Sequence, residues 1–301
     1  MKRILSFTIG AIAMLLAIAG CQMVRNSGDV LVPEPTSEKL RLATYNVHYI
    51  IMNKEAGPWS LGDWERRKGS LDLAFKEIGA DVIAFQEMES FAGRSGSDVN
   101  LTLDWLLERN SNYATAAVGN VADFPSTQPI LYRKDRLEAL DQGWFFFSET
   151  PEVIYSRTFN GSYPAYASWA SFRVLQDDSQ FRVVNIHTDY ASRSNRMLSI
   201  DLVADWIEPW AAAGETVFIV GDLNARHGSK IIRVLEDVGV RFAPTKGATY
   251  HFNRGLNLFG AIDHIGVVGK SRIADDPIVL RRRFEDEWPT DHYPVIADFN
   301  L

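Results

Sequence analysis

"VFIVGDLNAR", residues 217–226, begins as a greasy strand and ends with polar side chains crowded at one point. Four residues suited to a buried strand, Val217 to Val220, run straight into Asp222 and Asn224. An acid and an amide at the mouth of a buried strand are costly unless they pair or bind something. Residues two apart in a strand project to the same side, so Asp222 and Asn224 are expected to leave the sheet edge together and face one ligand.

The pattern recurs outward from this stretch. Asn46 lies in "TYNVH", Glu87 closes "DVIAFQE", His187 and Asp189 lie in "NIHTD", Asp263 lies in "AIDHI", and Asp291 and His292 precede the last apolar run in "PTDHYPV". Each alone has an ordinary explanation as a turn residue, a solvated acid or a satisfied core histidine. Together they mark a site, because catalytic groups collect on loops that a rigid sheet holds in place.

Between these points short apolar runs alternate with amphipathic segments. Strands are expected at 40–47, 81–87, 129–133, 137–147, 165–174, 180–188, 216–220, 261–268 and 293–301, with a hairpin across 175–179. Helices are expected at 63–79, capped by Asp63, and at 98–110, 193–211 and 228–239. Hairpins mixed with crossovers imply layered α/β with mixed sheets.

The chain has 31 basic against 38 acidic residues, which excludes a broad electrostatic grip on nucleic-acid phosphates. The one basic run, "RRRF" at 281–284, reads as a solvated edge. Aromatic residues between Trp144 and Trp169, Phe145 to Phe147 among them, read as core and loop. No cysteine or histidine cluster suggests zinc, and no "GxSxG" or glycine-rich phosphate loop occurs.

Lys2 and Arg3 followed by an uncharged stretch from Ile4 to Gly20 read as an export signal. Its end, "LAIAGC", resembles the lipobox of bacterial lipoproteins, which makes Cys21 the expected site of lipidation and the membrane attachment. An ordinary cleaved signal that leaves an unpaired thiol is the alternative. Cys21 is the sole cysteine, so no intramolecular disulfide can form. The expected organisation is a signal at 1–20, a tether at 21–39 and one domain at 40–301. Gln22 after the cysteine suggests the outer membrane of a diderm envelope.

"TYNVH", "DVIAFQE", "NIHTD", "GDLNA", "IDHI" and "TDHYPV", in this order over residues 40–301, resemble the endonuclease/exonuclease/phosphatase superfamily. The resemblance implies a four-layer α/β sandwich, two central mixed β-sheets flanked by helices, that cleaves phosphate esters with Mg²⁺ or Mn²⁺. It implies His292 as general base, Asp263 as the acid orienting it, and Asp222 positioning water or the leaving group. Asn224 would donate to a phosphoryl oxygen, and His187 would contact phosphate and protonate the leaving oxygen. Glu87 matches the principal metal ligand, with Asn46 beside it and Asp291 as a second ligand.

Two positions depart from the family pattern: Gln128 is the nearest substitute for an acid or amide before strand 129–133, and only Arg157 stands near the place of a missing arginine before Trp169. The expected protein is an exported, lipid-anchored, monomeric phosphoesterase acting on a phosphodiester in nucleic acid or a phospholipid headgroup, with inositol phosphates in the same substrate range. A non-catalytic phosphate-binding or interaction module on the same fold is the alternative.

Overall fold

The structure is a computed structural model and describes residues 2–92, 99–161 and 163–301. Ten of its strands exceed two residues: β1 (Leu40–Asn46), β2 (Val82–Gln86), β3 (Tyr113–Ala116), β4 (Ile130–Arg133), β5 (Leu137–Phe146), β6 (Tyr166–Val174), β7 (Gln180–His187), β8 (Val217–Asp222), β9 (Asp263–Val268) and β10 (Val295–Asn300). The helices are α1 (Lys2–Asn26), α2 (Leu61–Ile78), α3 (Leu101–Arg109), α4 (Arg193–Ala212) and α5 (Lys230–Asp237).

A seven-stranded sheet runs β10, β1, β2, β4, β3, with two-residue strands at 272–273 and 278–279 added along β10. A six-stranded sheet runs β9, β8, β7, β6, β5, edged by a short strand at 241–242. Each sheet contains one parallel pair, β1 with β2 and β7 with β8, among antiparallel neighbours. The sheets meet face to face through Leu42, Ala84, Phe172, Phe218, Val220 and Phe299. On the outer faces, α2 packs Leu71, Phe75 and Ile78 against Ile83 and Phe85, and α4 and α5 pack Ile200, Val203, Ile232 and Leu235 against Val184 and Ile219. Strands covered on both sides bury every residue, so "VFIV" is apolar without alternation.

Several local expectations change. The N-cap of α2 is Ser60, whose hydroxyl accepts from the Asp63 amide, so Asp63 sits in the first turn and is not the cap. The helix expected from Asp98 is seen from Leu101 with Asn100 as cap, and Asp98 lies outside the described residues. β3 was not anticipated, since "YATA" carries little strand signal.

The "RRRF" run is a solvated edge only at Arg283, which is exposed like its partner Asp286. Arg281 donates to the carbonyls of Ala248, Gly28 and Lys246, Arg282 pairs with Glu77, and Arg283 pairs with Asp286. Phe145, Phe146 and Phe147 are fully buried, as a core strand requires.

Helix α1 continues through an exposed Cys21 to Asn26, and from Thr8 it is long and apolar enough to cross a membrane. The Pro- and Ser-rich segment after it lies against the domain. Arg41 holds the carbonyl of Pro33 at 2.8 Å, Arg136 holds that of Ser37 at 2.8 Å, and the Asn26 amide reaches the Asn257 carbonyl at 3.2 Å.

Candidate active site

Strand register assembles one half of the site. In the six-stranded sheet Asp222 lies opposite His187 on β7 and opposite Asp263 on β9, so three site residues share one level across adjacent strands. Gly221 permits the close approach: at φ 141°, a Cβ there would meet the Ile186 carbonyl oxygen at 1.9 Å. The seven-stranded sheet brings the other half. Asn46 ends β1 opposite Gln86, and Glu87 follows in the left-handed region at φ 54°.

The two halves meet at Asp222. Asn46 Nδ2 donates to Glu87 Oε1 at 3.1 Å and to Asp222 Oδ2 at 3.3 Å, while its Oδ1 accepts from the His48 amide. His187 Nε2 stands 3.7 Å from Glu87 Oε1 and 3.8 Å from Asp222 Oδ2. His292 Nε2 approaches the same Asp222 oxygen at 3.8 Å, and its Nδ1 meets both Asp263 oxygens at 3.0 and 3.2 Å. A carboxylate only accepts, so His292 Nδ1 carries the proton and Nε2 faces the site.

Asp291, half-buried next to His292, accepts from the Thr290 hydroxyl at 3.2 Å. Burial pushes the Tyr250 phenol up, and the charges of Asp291, Glu87 and Asp222 add to it.

The electrostatics follow from this crowding of acids. Burial alone would strip the proton from His292, but the charge and hydrogen bond of Asp263, then Asp222 and Asp291, outweigh it and hold the imidazole up to about 10. Asp222 is pushed above the usual carboxylate range by burial and then by Asp263. Burial also opposes ionisation of Asp291, yet positive neighbours led by His292 hold it below its ordinary value. Burial drives His48 and His251 down to about 4, so at neutral pH the positive charges that act on Asp291 are those of His292 and the buried Arg67.

One sequence expectation is corrected here. β8 ends at Asp222, and Asn224 enters the left-handed region at φ 45°, so the strand period does not align the two side chains. Instead the Asn224 amide nitrogen of the backbone donates to Asp222 Oδ1 at 2.9 Å, and its side chain donates to the Thr188 carbonyl at 3.0 Å. Gln128 does not support His187: its Nε2 donates to the Tyr166 carbonyl at 2.6 Å. Arg157 is exposed and has no hydrogen bond or ion pair among the described residues. Asp189 serves the turn into α4, accepting from the amides of Ala191 and Ser192.

Sequence reasoning also missed a polar clasp behind the site. Gln86 Nε2 donates to Asn185 Oδ1 at 2.7 Å, and Asn185 Nδ2 donates to the Phe85 carbonyl at 2.8 Å, joining the two sheets. Both amides stand inside quoted motifs, "FQE" and "NIHTD", Gln86 one position from Glu87 and Asn185 two positions from His187.

A cation has oxygen donors to meet here. Asp222, Asp263 and His292 offer ligand atoms within 4.8 Å of one another, and Glu87 converges on the same Asp222 oxygen through Asn46. His292 and Asp263 are bonded to each other, which leaves Glu87 and Asp222 as the freer carboxylates. All-oxygen ligation suits a hard divalent cation.

The family model of the endonuclease/exonuclease/phosphatase family matches residues 43–292. The chain belongs to that family. An endonuclease/exonuclease/phosphatase family protein of Bacteroides thetaiotaomicron superposes with a TM-score of 0.72 at 22% identity, covering 89% of this chain and 98% of the other. The mannosyl-6-phosphatase of the same organism gives 0.71 at 22% identity over 87% of this chain and 100% of the other. The human Nocturnin catalytic domain with bound sulfate gives 0.60 at 13% identity over 89% and 95%. No curated protein matches the sequence. Family membership makes a phosphoester hydrolase of the fold, and the acid and histidine cluster is a possible metal site.

Proposed function

We propose that this chain is an exported, lipid-anchored, Mg²⁺- or Mn²⁺-dependent phosphodiesterase in which water activated at His292 attacks phosphorus in line. The observation that carries the reading is the single oxygen, Asp222 Oδ2, lying 3.8 Å from both His292 Nε2 and His187 Nε2. Two imidazoles that face one carboxylate oxygen suit a reaction that takes a proton on one side of phosphorus and returns one on the other.

His292 would accept the proton of water at Nε2, with Asp263 fixing its tautomer through Nδ1 and stabilising the resulting charge. Asp222 would align that water. His187 would donate to the departing oxygen, and Asn224 would reach a phosphoryl oxygen by releasing the Thr188 carbonyl. Glu87 and Asp291 would ligate the cation, joined by Asn46 if its amide turns its oxygen from the His48 amide toward the carboxylates. A bound divalent cation would neutralise charge growing on the phosphoryl oxygens and favour the unprotonated form of the neighbouring imidazole.

A diester fits better than a monoester. No lysine or arginine pairs with Glu87, Asp222, Asp263 or Asp291 among the described residues, so a dianionic monoester would meet four acids with little offset. Export and lipid attachment at Cys21, with placement in the outer membrane, are supported by the apolar α1 and the "LAIAGC" stretch. The test is hydrolysis of bis-p-nitrophenyl phosphate with Mg²⁺, with Mn²⁺ and with chelator. Folded protein that is inactive with both metals would favour a non-catalytic module.

A further inference from the structure

The site described above adjoins a hollow through Asp291. A cavity of about 590 Å³ opens beside Asp291 and Tyr250. We propose that it holds the alcohol part of the substrate, and that this alcohol is an uncharged, hydroxyl-rich ring of hexose type. The inference rests on the phosphoesterase reading of the adjoining site.

Asp291 lines the cavity, and Tyr250 on its wall packs on His292. The Tyr250 ring centroid lies 4.9 Å from that of His292, the two residues pair across an isolated bridge, and the Tyr293 amide is held by the Thr249 carbonyl at 2.6 Å. Segment 249–258 is therefore pinned to the segment bearing Asp291 and His292. A phosphorus facing His292 has its ester substituent beside this cavity.

The lining then selects the substituent. His48 Nδ1 lies 3.3 Å from the Tyr49 carbonyl, and its Nε2 stands 3.9 Å from Asp63 Oδ2. His48 is 3% exposed, and its Nε2 has no hydrogen-bond partner. That nitrogen is sealed from the cavity, and the acceptors that line the space are the carboxylates of Asp63 and Asp291. At the rim, the side chains of Asn253 and Arg254 make no hydrogen bond or ion pair among the described residues and offer donors. Donors and acceptors around one small space suit hydroxyls, which are both.

Charge disfavours a polynucleotide. Arg66 is already paired with Asp63 at 2.5 Å and Glu287 at 3.0 Å, and the two lining arginines are balanced by Asp63 and Asp291. A polynucleotide needs cations for successive phosphates, and this lining has no excess. The Trp59 ring stacks on Tyr49 at 5.8 Å with the Lys54 ammonium 5.9 Å from its centroid, and Tyr250 lies between His292 and Phe252. Those contacts engage the rings with one another and with Lys54, while Trp59 at the rim stays 39% exposed. Four non-glycine residues around the cavity, His48, Trp59, Phe252 and Asn253, hold φ between 36° and 60°, a strained backbone that gathers at ligand sites.

The experiment compares kcat/KM of the full chain, with Mg²⁺ or Mn²⁺, on the 6-(methyl phosphate) diesters of glucose, galactose and mannose, on thymidylyl-thymidine, and on glycerophosphocholine. At least one hexose diester should exceed the other two classes by tenfold or more. Arg254→Ala and Asn253→Ala should each lower the ratio of hexose-diester to bis-p-nitrophenyl phosphate kcat/KM by about tenfold, the effect of one lost hydrogen bond. Preference for the dinucleotide or the choline ester, or a ratio that neither variant moves, overturns the assignment. Absence of bis-p-nitrophenyl phosphate hydrolysis in the parent protein has a different meaning, because it removes the phosphoesterase reading and this inference together.

Discussion

Replacing Asp263 by asparagine keeps an acceptor for His292 Nδ1 and removes the negative charge behind it. The contact is 3.0 Å at its shorter arm and buried, so the loss is felt in full. Exchanging a charge-assisted hydrogen bond for a neutral one costs about 1–1.5 kcal/mol. Removing a unit charge near 4 Å at an effective dielectric of about 20 sets an upper bound of about 4 kcal/mol. At roughly 1.4 kcal/mol per pH unit, the His292 midpoint should fall from about 10 by roughly one to three units. Asp222 and Asp291 remain to keep it from dropping further.

The assay is NMR titration of the imidazole in metal-free protein, with the His292 signal assigned by its loss in His292→Gln. The sign extends to stability. The folded midpoint lies above the unfolded value near 6.5, so the stabilisation from protonated His292 is complete below about pH 6.5 and fades as pH rises through 10. Asp263→Asn should flatten that dependence in chemical denaturation at pH 6 and pH 9. A midpoint that stays put or rises in Asp263→Asn would refute the assigned coupling.

His292→Ala should lower turnover of bis-p-nitrophenyl phosphate by at least about 10²-fold with circular dichroism unchanged, and near-parent activity would reject the base. Glu87→Gln should raise the Mg²⁺ concentration needed for half-maximal activity, and an unchanged titration curve would count against Glu87 as ligand. Gly221→Ala should destabilise the fold by about 3 kcal/mol or more, read as a lowered thermal midpoint, because its Cβ would collide with the Ile186 carbonyl at a φ that L residues avoid. A parent-like melt would mean that β7 and β8 can spread without penalty.

The polar residues at strand ends were legible because burial makes each of them anomalous. Asp222, Asp263 and His187 looked like three separate coincidences, and register turned them into neighbours on one level. Asn224 was misjudged because a left-handed backbone at φ 45° leaves no mark in an apolar period. Ser60 was passed over for Asp63 because both are good caps, and only the hydroxyl-to-amide contact separates them. Tyr250 and His48 were invisible as site residues, since an aromatic and a lone histidine ordinarily read as core. Arg281 and Arg282 looked solvated because their partners, Gly28, Glu77 and Ala248, are distant in the chain.

The clasp between Gln86 and Asn185 bears on how two sheets keep their alignment. Grease between Phe218, Phe299 and Leu42 sets how far apart the sheets stand, but its attraction has no direction and permits lateral slip. An amide pair at 2.7 Å, buried at the rim where Glu87 and His187 emerge, does have direction. It acts as a dowel against shear, so that halves borrowed from two sheets stay in the sub-ångström agreement that attack on phosphorus demands.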